Sequence, residues 1–260
     1  MRQAHPPPRS LKSTASIFQS IRPMTFSARA LLVLSFAALP LAAQTTTPAT
    51  EDQTDTSAAP PQLYGQLTGD LYTAPSGVYQ IPVPVLPQLG GTVSDTANTV
   101  TFDDDFTTHI SIFAFPLSRE LKWEYDTRGT KDFLAWFFTN IVMADFTKRF
   151  PGASMEDNGL FLPKYQDGSL LVYMLLPGGS YFANQAMILP PPKPLVAKRG
   201  NILFVKYGMI FVVSTELTER VTEHLIFNKT PAEEDQILRQ RLTAIVDKMR
   251  FIKPAAEAKD

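Results

Sequence analysis

Apolar and polar residues follow one another along this chain in an order that predicts strands, an aromatic-rich helix, more strands and a second helix. Seven short apolar stretches, bounded by turn-forming residues, predict strands at 78–83, 98–102, 107–115, 159–162, 170–176, 202–206 and 209–215. Three tight turns join six of them into antiparallel hairpins, at Asp103-Asp104-Asp105, Asp167-Gly168 and Tyr207-Gly208.

The later strands are apolar on both faces. In the stretch 170–176, Leu170 and Val172 face one side, whereas Leu171 and Tyr173 face the other. An antiparallel strand with one face in water alternates apolar with polar residues, and this one does not. We therefore expect both faces of the sheet to be covered.

Two predicted helices are available for this. The first extends over residues 130–150, and its large apolar residues form a wide band, namely Phe133, Trp136, Phe137, Phe138, Ile141, Val142, Phe146 and Phe150. The second begins at Thr230 with a capping box to Glu233 and leads into a short final strand at 250–252. The predicted fold class is α+β, with an antiparallel β-sheet sandwiched between two main helices as an α/β/α sandwich.

This order of elements, over roughly residues 70–253, resembles the PsbP-like/DcrB-like superfamily. The resemblance rests on the succession of hairpin strands, aromatic helix, two hairpins and capped C-terminal helix. It implies a non-enzymatic role, because members of that superfamily bind proteins or act as accessory subunits of membrane complexes. The resemblance does not identify any residue of this chain as a functional residue.

The N-terminal region predicts export. Arg29 precedes the apolar run 30–43, which ends in small residues, and this pattern is typical of a signal peptide over residues 1–43, with Met24 as an alternative start. An uncleaved anchor and a bipartite organellar address are the alternatives. The run is shorter than the roughly 20 apolar residues of a membrane-spanning helix, so no transmembrane segment is predicted in the mature form. The expected location is periplasmic or extracellular.

The remaining boundaries follow from composition. Residues 44–68 are predicted to be a disordered linker, because up to Gln62 they include no aromatic or large aliphatic residue. A single α/β sandwich domain is predicted over 69–253 and a disordered tail over 254–260. Hydrophobic residues make up 44% of the chain, which is sufficient for one core.

Charge and cysteine content exclude several classes of function. Residues 1–43 hold five basic and no acidic residues, so the remainder has 19 basic against 25 acidic residues and a charge of −6. A nucleic-acid-binding protein would need a basic surface. The absence of cysteine excludes disulfides, thiolate metal sites, a cysteine nucleophile and a lipobox. No cofactor and no metal ion are predicted.

Candidate chemistry is sparse. His109 and His224 are the histidines of the mature chain, and either one supplies the base in the alternative function, an envelope hydrolase. The acidic triplet 103–105 lacks the glycine and distal glutamate of a calcium loop, which favours a solvated turn. Lys193, Lys198 and Arg199 favour an exposed loop over an anion site.

The connection 177–199 is the most informative segment. It is long for a compact sheet, and it keeps large apolar residues beside a proline run. The candidate partner-binding residues within it are Tyr181, Phe182, Met187, Pro190 and Pro191. The alternative is that its apolar side chains fold back over a sheet edge. The predicted function is an exported, non-enzymatic binding or accessory module of the cell envelope with a protein partner.

Overall fold

The computed structural model describes residues 63–183 and 195–254, which form two antiparallel sheets and the helices packed on them. The strands are β1 (Gln66–Thr68), β2 (Leu71–Thr73), β3 (Tyr79–Pro82), β4 (Thr92–Asp95), β5 (Thr99–Asp103), β6 (His109–Pro116), β7 (Ser154–Met155), β8 (Leu160–Leu162), β9 (Ser169–Pro177), β10 (Val196–Lys206), β11 (Met209–Glu216) and β12 (Arg250–Phe251). The helices are α1 (Arg119–Arg128), α2 (Thr130–Phe137), α3 (Met143–Arg149), α4 (Glu219–Thr222) and α5 (Pro231–Lys248), with a 3₁₀ turn at Pro87–Leu89 and a π-helical stretch at Phe138–Val142.

The larger sheet has eight strands. Seven of them follow the order β4-β5-β6-β11-β10-β9-β7, and β8 pairs with a different part of β9. The three predicted hairpins are confirmed as β5–β6, β8–β9 and β10–β11. Strand β10 begins at Val196, earlier than the predicted start at 202. The prediction missed its first part because Lys198, Arg199 and Asn201 interrupt the apolar pattern there.

Both faces of this sheet are covered, as the apolar pattern predicts. On β9, Leu170, Val172 and Met174 pack with α2 and α3, on the side that we call the helical face. Leu171 and Tyr173 pack on the opposite side with α5. The predicted α/β/α sandwich is therefore confirmed.

The aromatic helix predicted at 130–150 is interrupted. Helices α2 and α3 are joined by the π-helical stretch, whose extra residue shifts the phase of the apolar stripe. The consecutive residues Phe137 and Phe138, where this stretch begins, are both fully buried. Helix α1 precedes this run and was not predicted, since it buries none of its residues and has no apolar stripe.

The second face is shared by α5 and a smaller sheet with the order β1-β2-β3-β12. The prediction of a single sheet is therefore incomplete, because the strands expected at 78–83 and 250–252 belong to this second sheet. Helix α5 begins with the predicted capping box of Thr230 and Glu233. It lies close to β10 at Gly200, where a Cβ atom would approach Leu242 Cδ1 to 2.9 Å.

The folded domain begins earlier than the predicted boundary at residue 69. Strand β1 lies within the predicted linker, and the amides of Tyr64 and Gly65 donate to the Asp95 carboxylate at 2.8 and 2.7 Å. The predicted signal peptide, residues 44–62 of the predicted linker and residues 255–260 of the predicted tail lie outside the described residues. Within residues 63–183 and 195–254, no helix is long and apolar enough to cross a membrane.

Candidate functional site

Buried polar side chains gather at one end of the larger sheet, on its helical face, beyond the part that α2 and α3 cover. We call this cluster the polar end. It is formed where β5 and β11 finish and where β6 and β10 begin, and its members are Asp103, His109, Ser111, Arg199, Asn201, Ser214 and Glu216. All seven are nearly or fully removed from solvent.

Strand register brings these residues together. Asp103 pairs with His109, Ser214 pairs with both Ser111 and Asn201, and Arg199 pairs with Glu216. Residues directly opposite each other in a sheet share a face, so four strands each contribute alternate polar positions to one surface. The side-chain amide of Asn201 and the hydroxyl of Ser214 have no hydrogen-bond partner in the described part of the chain. Buried polar groups cost stability unless they are paired, so stability does not account for Asn201 and Ser214.

His109 is neutral and held by a carboxylate. Its Nδ1 lies 2.5 Å from Oδ1 of Asp103. Burial lowers the pKa of His109, and the charge of Arg199 lowers it further, against the opposing effect of Asp103. In a neutral ring the nitrogen facing the carboxylate carries the proton, so Nδ1 donates to Asp103.

Glu216 anchors the chain segment that covers the polar end. Its fully buried carboxylate accepts hydrogen bonds from the Ser180 hydroxyl, from the Tyr181 amide at 3.1 Å and from Nη2 of Arg199 at 3.4 Å. Arg199 also donates to the carbonyl of Gly179 at 3.4 Å. Residues 179–181 are thus fixed to β10 and β11 by one buried ion pair.

Of the predicted partner-binding residues, Tyr181 and Phe182 are described, and they differ in exposure. The Tyr181 ring is 48% exposed, and its inner face stacks on His109 with ring centroids 4.7 Å apart. Phe182 is 0% exposed and meets the edge of Tyr181, so its side chain is core and not surface, as the alternative of folding back expects. Met187, Pro190 and Pro191 lie outside the described residues.

Hydrogen bonds from its own backbone to Asp104 hold the β5–β6 turn in place. Oδ1 of Asp104 accepts from the amides of Phe106, Thr107 and Thr108 at 2.9, 2.7 and 2.8 Å. Burial would raise the pKa of Asp104, but these hydrogen bonds outweigh burial and lower it. The predicted hairpin turn is present, but the expectation of a solvated turn is wrong for Asp103 and Asp104, because both are buried. Phe106 projects from this turn with 56% of its surface exposed.

The three carboxylates of this turn point to different partners. Asp103 meets His109 and Asp104 caps backbone amides, whereas the Asp105 carboxylate lies against Gly90, whose φ of +71° and missing side chain leave room for it. Among the residues that the structure describes, no three histidine, aspartate or glutamate side chains converge as metal ligands would.

Neither candidate base faces a nucleophile in the described ranges. His109 meets a carboxylate, but its ring is covered by Tyr181 and makes no hydrogen bond to a serine there. The Nδ1 atom of His224 lies 3.1 Å from the carbonyl of Val221. Ser111 lies on the same face as His109, and its hydroxyl pairs with Thr101 at 3.4 Å.

Exposed apolar side chains surround the β5–β6 turn. We call Leu86, Leu89, Phe106 and Tyr181 the apolar rim, and each has between 42 and 59% of its surface exposed. The amide of Asp105 donates to the carbonyl of Leu89 at 3.1 Å, which joins the 3₁₀ turn to the β5–β6 turn. Tyr181 lies beside the β5–β6 turn because its ring stacks on His109, the first residue of β6.

A second buried charge cluster lies on the opposite face. The Lys198 ammonium is fully buried and lies 2.6 Å from Asp235, 2.7 Å from Glu156 and 3.2 Å from Glu234. Arg220 adds a bidentate contact to Glu234 at 2.6 and 2.7 Å. The predicted exposed basic loop is therefore wrong for Lys198 and Arg199, because both lie in β10 on opposite faces of the sheet.

Comparisons with known proteins find similar solved structures but no relative in sequence. No family model and no curated protein matches. Similar solved structures include the Saccharomyces cerevisiae Ran-binding protein Mog1p, which is 12% identical, with 74% of this chain and 97% of that chain covered and a TM-score of 0.42. PsbP (CyanoP) of the cyanobacterium Synechocystis is 8% identical, with 70% and 91% covered and a TM-score of 0.39. A Bacteroides thetaiotaomicron protein is 10% identical, with 72% and 50% covered and a TM-score of 0.32.

Proposed function

We propose that this protein is an exported, non-enzymatic binding module of the cell envelope, which docks a protein partner on the apolar rim. The observation that carries this proposal is that three separate chain segments present exposed apolar side chains from backbone that hydrogen bonds hold in place. These segments are the 3₁₀ turn, the β5–β6 turn and the segment after β9.

Rigidity makes such a surface effective. Asp104 fixes the backbone that carries Phe106, and Glu216 fixes the backbone that carries Tyr181. Because little ordering entropy is lost when a rigid surface binds, more of the contact energy appears as affinity. Aromatic side chains are enriched at the centres of protein interfaces, and Phe106 and Tyr181 are the exposed aromatic residues of the rim.

Charge indicates the chemistry of the partner. The exposed Asp105 lies inside the rim, and the chain without residues 1–43 has a charge of −6. A partner surface that combines apolar side chains with flanking lysine or arginine residues would be complementary, and complementary charges steer association.

The rim is tested by site-specific photocrosslinking in the source cells. A photoreactive residue replaces Phe106 in one variant and Tyr181 in a second. It replaces Trp123, an equally exposed aromatic residue on α1, in a matched control. We expect the two rim positions to crosslink to the same protein and the control position not to do so. Crosslinks that are equal at all three positions, or absent from the rim positions, contradict the proposal.

Export is the second part of the proposal and has its own test. The small residues Ala42 and Ala43 offer a cleavage site before Gln44. Mass spectrometry of the protein recovered from the envelope fraction should give an N-terminus at or near Gln44. Recovery of an intact segment from Met24 contradicts cleavage, and recovery from the cytoplasm only contradicts export. Both outcomes leave the rim proposal standing.

A further inference from the structure

A cleft of about 370 Å³ opens between α5 and the first residues of β6, on the sheet face opposite to the polar end. Three buried isoleucines line it, namely Ile81 from β3, Ile110 from β6 and Ile245 from α5. Small-molecule sites in proteins have volumes of roughly 300–1,000 Å³ and mostly apolar walls with a few polar groups. The size and the isoleucine lining of the cleft fit the hydrocarbon part of a small ligand.

The polar groups of the cleft leave one positive charge without a counterion. Arg241 and Glu219 neutralise each other through two contacts, at 2.5 and 3.1 Å. Lys248, on the last turn of α5, also lines the cleft and forms no ion pair within the described residues. Thr107 adds a hydroxyl to the same wall. A ligand bound here would meet an apolar surface and a single ammonium group.

We propose that this cleft binds a small amphipathic carboxylate, with its apolar body on the three isoleucines and its carboxylate at Lys248. A charged hydrogen bond from the ammonium to the carboxylate adds to the burial of apolar surface on the isoleucines. None of the four rim side chains lines this cleft, so the proposal does not depend on the proposed protein partner.

Octanoate is the probe for this site, and 1-octanol and octylamine are its neutral and cationic counterparts. Each is titrated into the purified protein and followed by calorimetry and by NMR of the backbone amides. We expect saturable binding of octanoate with shifts centred on Ile110 and Ile245, weaker binding of octanol and none of octylamine. The absence of saturable octanoate binding, or shifts centred elsewhere, overturns the proposal. Equal affinity for octanol overturns the assigned anion recognition.

Two pairs of variants locate the site. Lys248→Gln should weaken octanoate about tenfold, the loss expected for a charged hydrogen bond. Its control is Lys253→Gln, an exposed lysine outside the cleft. Ala244→Trp fills the cleft from an exposed position on α5 and should abolish binding, whereas Gln236→Trp, exposed on the same helix but outside the lining, should not. Equal affinity of the wild type and Ala244→Trp overturns the proposal, and thermal melting checks that each variant is folded.

Discussion

The ring of Tyr181 lies flat on the ring of His109, with the centroids 4.7 Å apart and the planes 15° apart. This contact ties the segment after β9 to the first residue of β6, so a connection that looks like a free loop in sequence is docked on the sheet. The next residue, Phe182, turns inward and is fully buried. Two adjacent aromatic residues therefore serve different purposes, one as surface and one as core.

Phe182 and Tyr181 should respond differently to the same substitution. Phe182→Ala removes a fully buried ring, and we expect the free energy of unfolding to fall by about 3–5 kcal/mol. Tyr181→Ala loses one stacked contact on a half-exposed ring and should cost about 1 kcal/mol. Urea denaturation monitored by circular dichroism gives both values. Similar losses for the two variants would show that the segment is not docked as described.

Periodicity predicted the framework of the fold. Strands that are apolar on both faces, as in 170–176, predicted a sheet that is covered on both sides. The Thr230–Glu233 capping box predicted the start of α5. Helix α1 and the short strand β1 were not predicted, because their residues are not buried and therefore show no apolar pattern. The second sheet escaped because β3 and β12 are adjacent through long-range pairing, which a local pattern does not encode.

Glu216 should be essential for the docked segment. Glu216→Gln leaves Arg199 buried beside a neutral amide, and breaking a buried ion pair typically costs about 3–5 kcal/mol. The control is Asp126→Asn, which breaks the exposed pair with Lys122 on α1 and should cost less than about 1 kcal/mol. Hydrogen exchange should accelerate at residues 179–182 in the Glu216 variant alone. If exchange there is unchanged, Glu216 does not anchor the segment.

The candidate site was harder to predict than the fold. Tyr181 and His109 stood out in sequence, but Arg199 was assigned to an exposed loop and Glu216 was not singled out, because charged residues are rarely buried. The available signal was positional, since Ser214 and Glu216 interrupt the apolar side of β11 at alternate positions near its end. Such an interruption becomes meaningful only when the register shows that neighbouring strands carry polar residues opposite it.

Stability should fall in mild acid through His109. Burial and the charge of Arg199 lower its pKa in the folded protein, so the unfolded chain binds the proton more readily. Stability is therefore lost as the pH falls through the unfolded value of about 6.5, and the loss levels off below the folded pKa. In His109→Gln the decline between pH 7.5 and 5.5 should be smaller than in the wild type. Urea unfolding across this pH range measures the free energy of unfolding. An undiminished decline in His109→Gln rules out this residue as the cause.

The loss of stability caused by removing Lys198 should become smaller as the pH falls. Burial would lower its pKa, but Asp235 and Glu156 outweigh burial and raise it, so it is charged in the folded protein. Lys198→Met leaves these carboxylates without their cation, and we expect a loss of about 3–5 kcal/mol at pH 7. Because uncompensated carboxylates take up protons readily, the difference from wild type should shrink toward pH 5. Lys122→Met, from the exposed pair on α1, is the control and should cost less than about 1 kcal/mol at either pH. A Lys198→Met deficit that is equal at pH 7 and pH 5 would mean that lost packing, and not the buried charge, is what the variant reports.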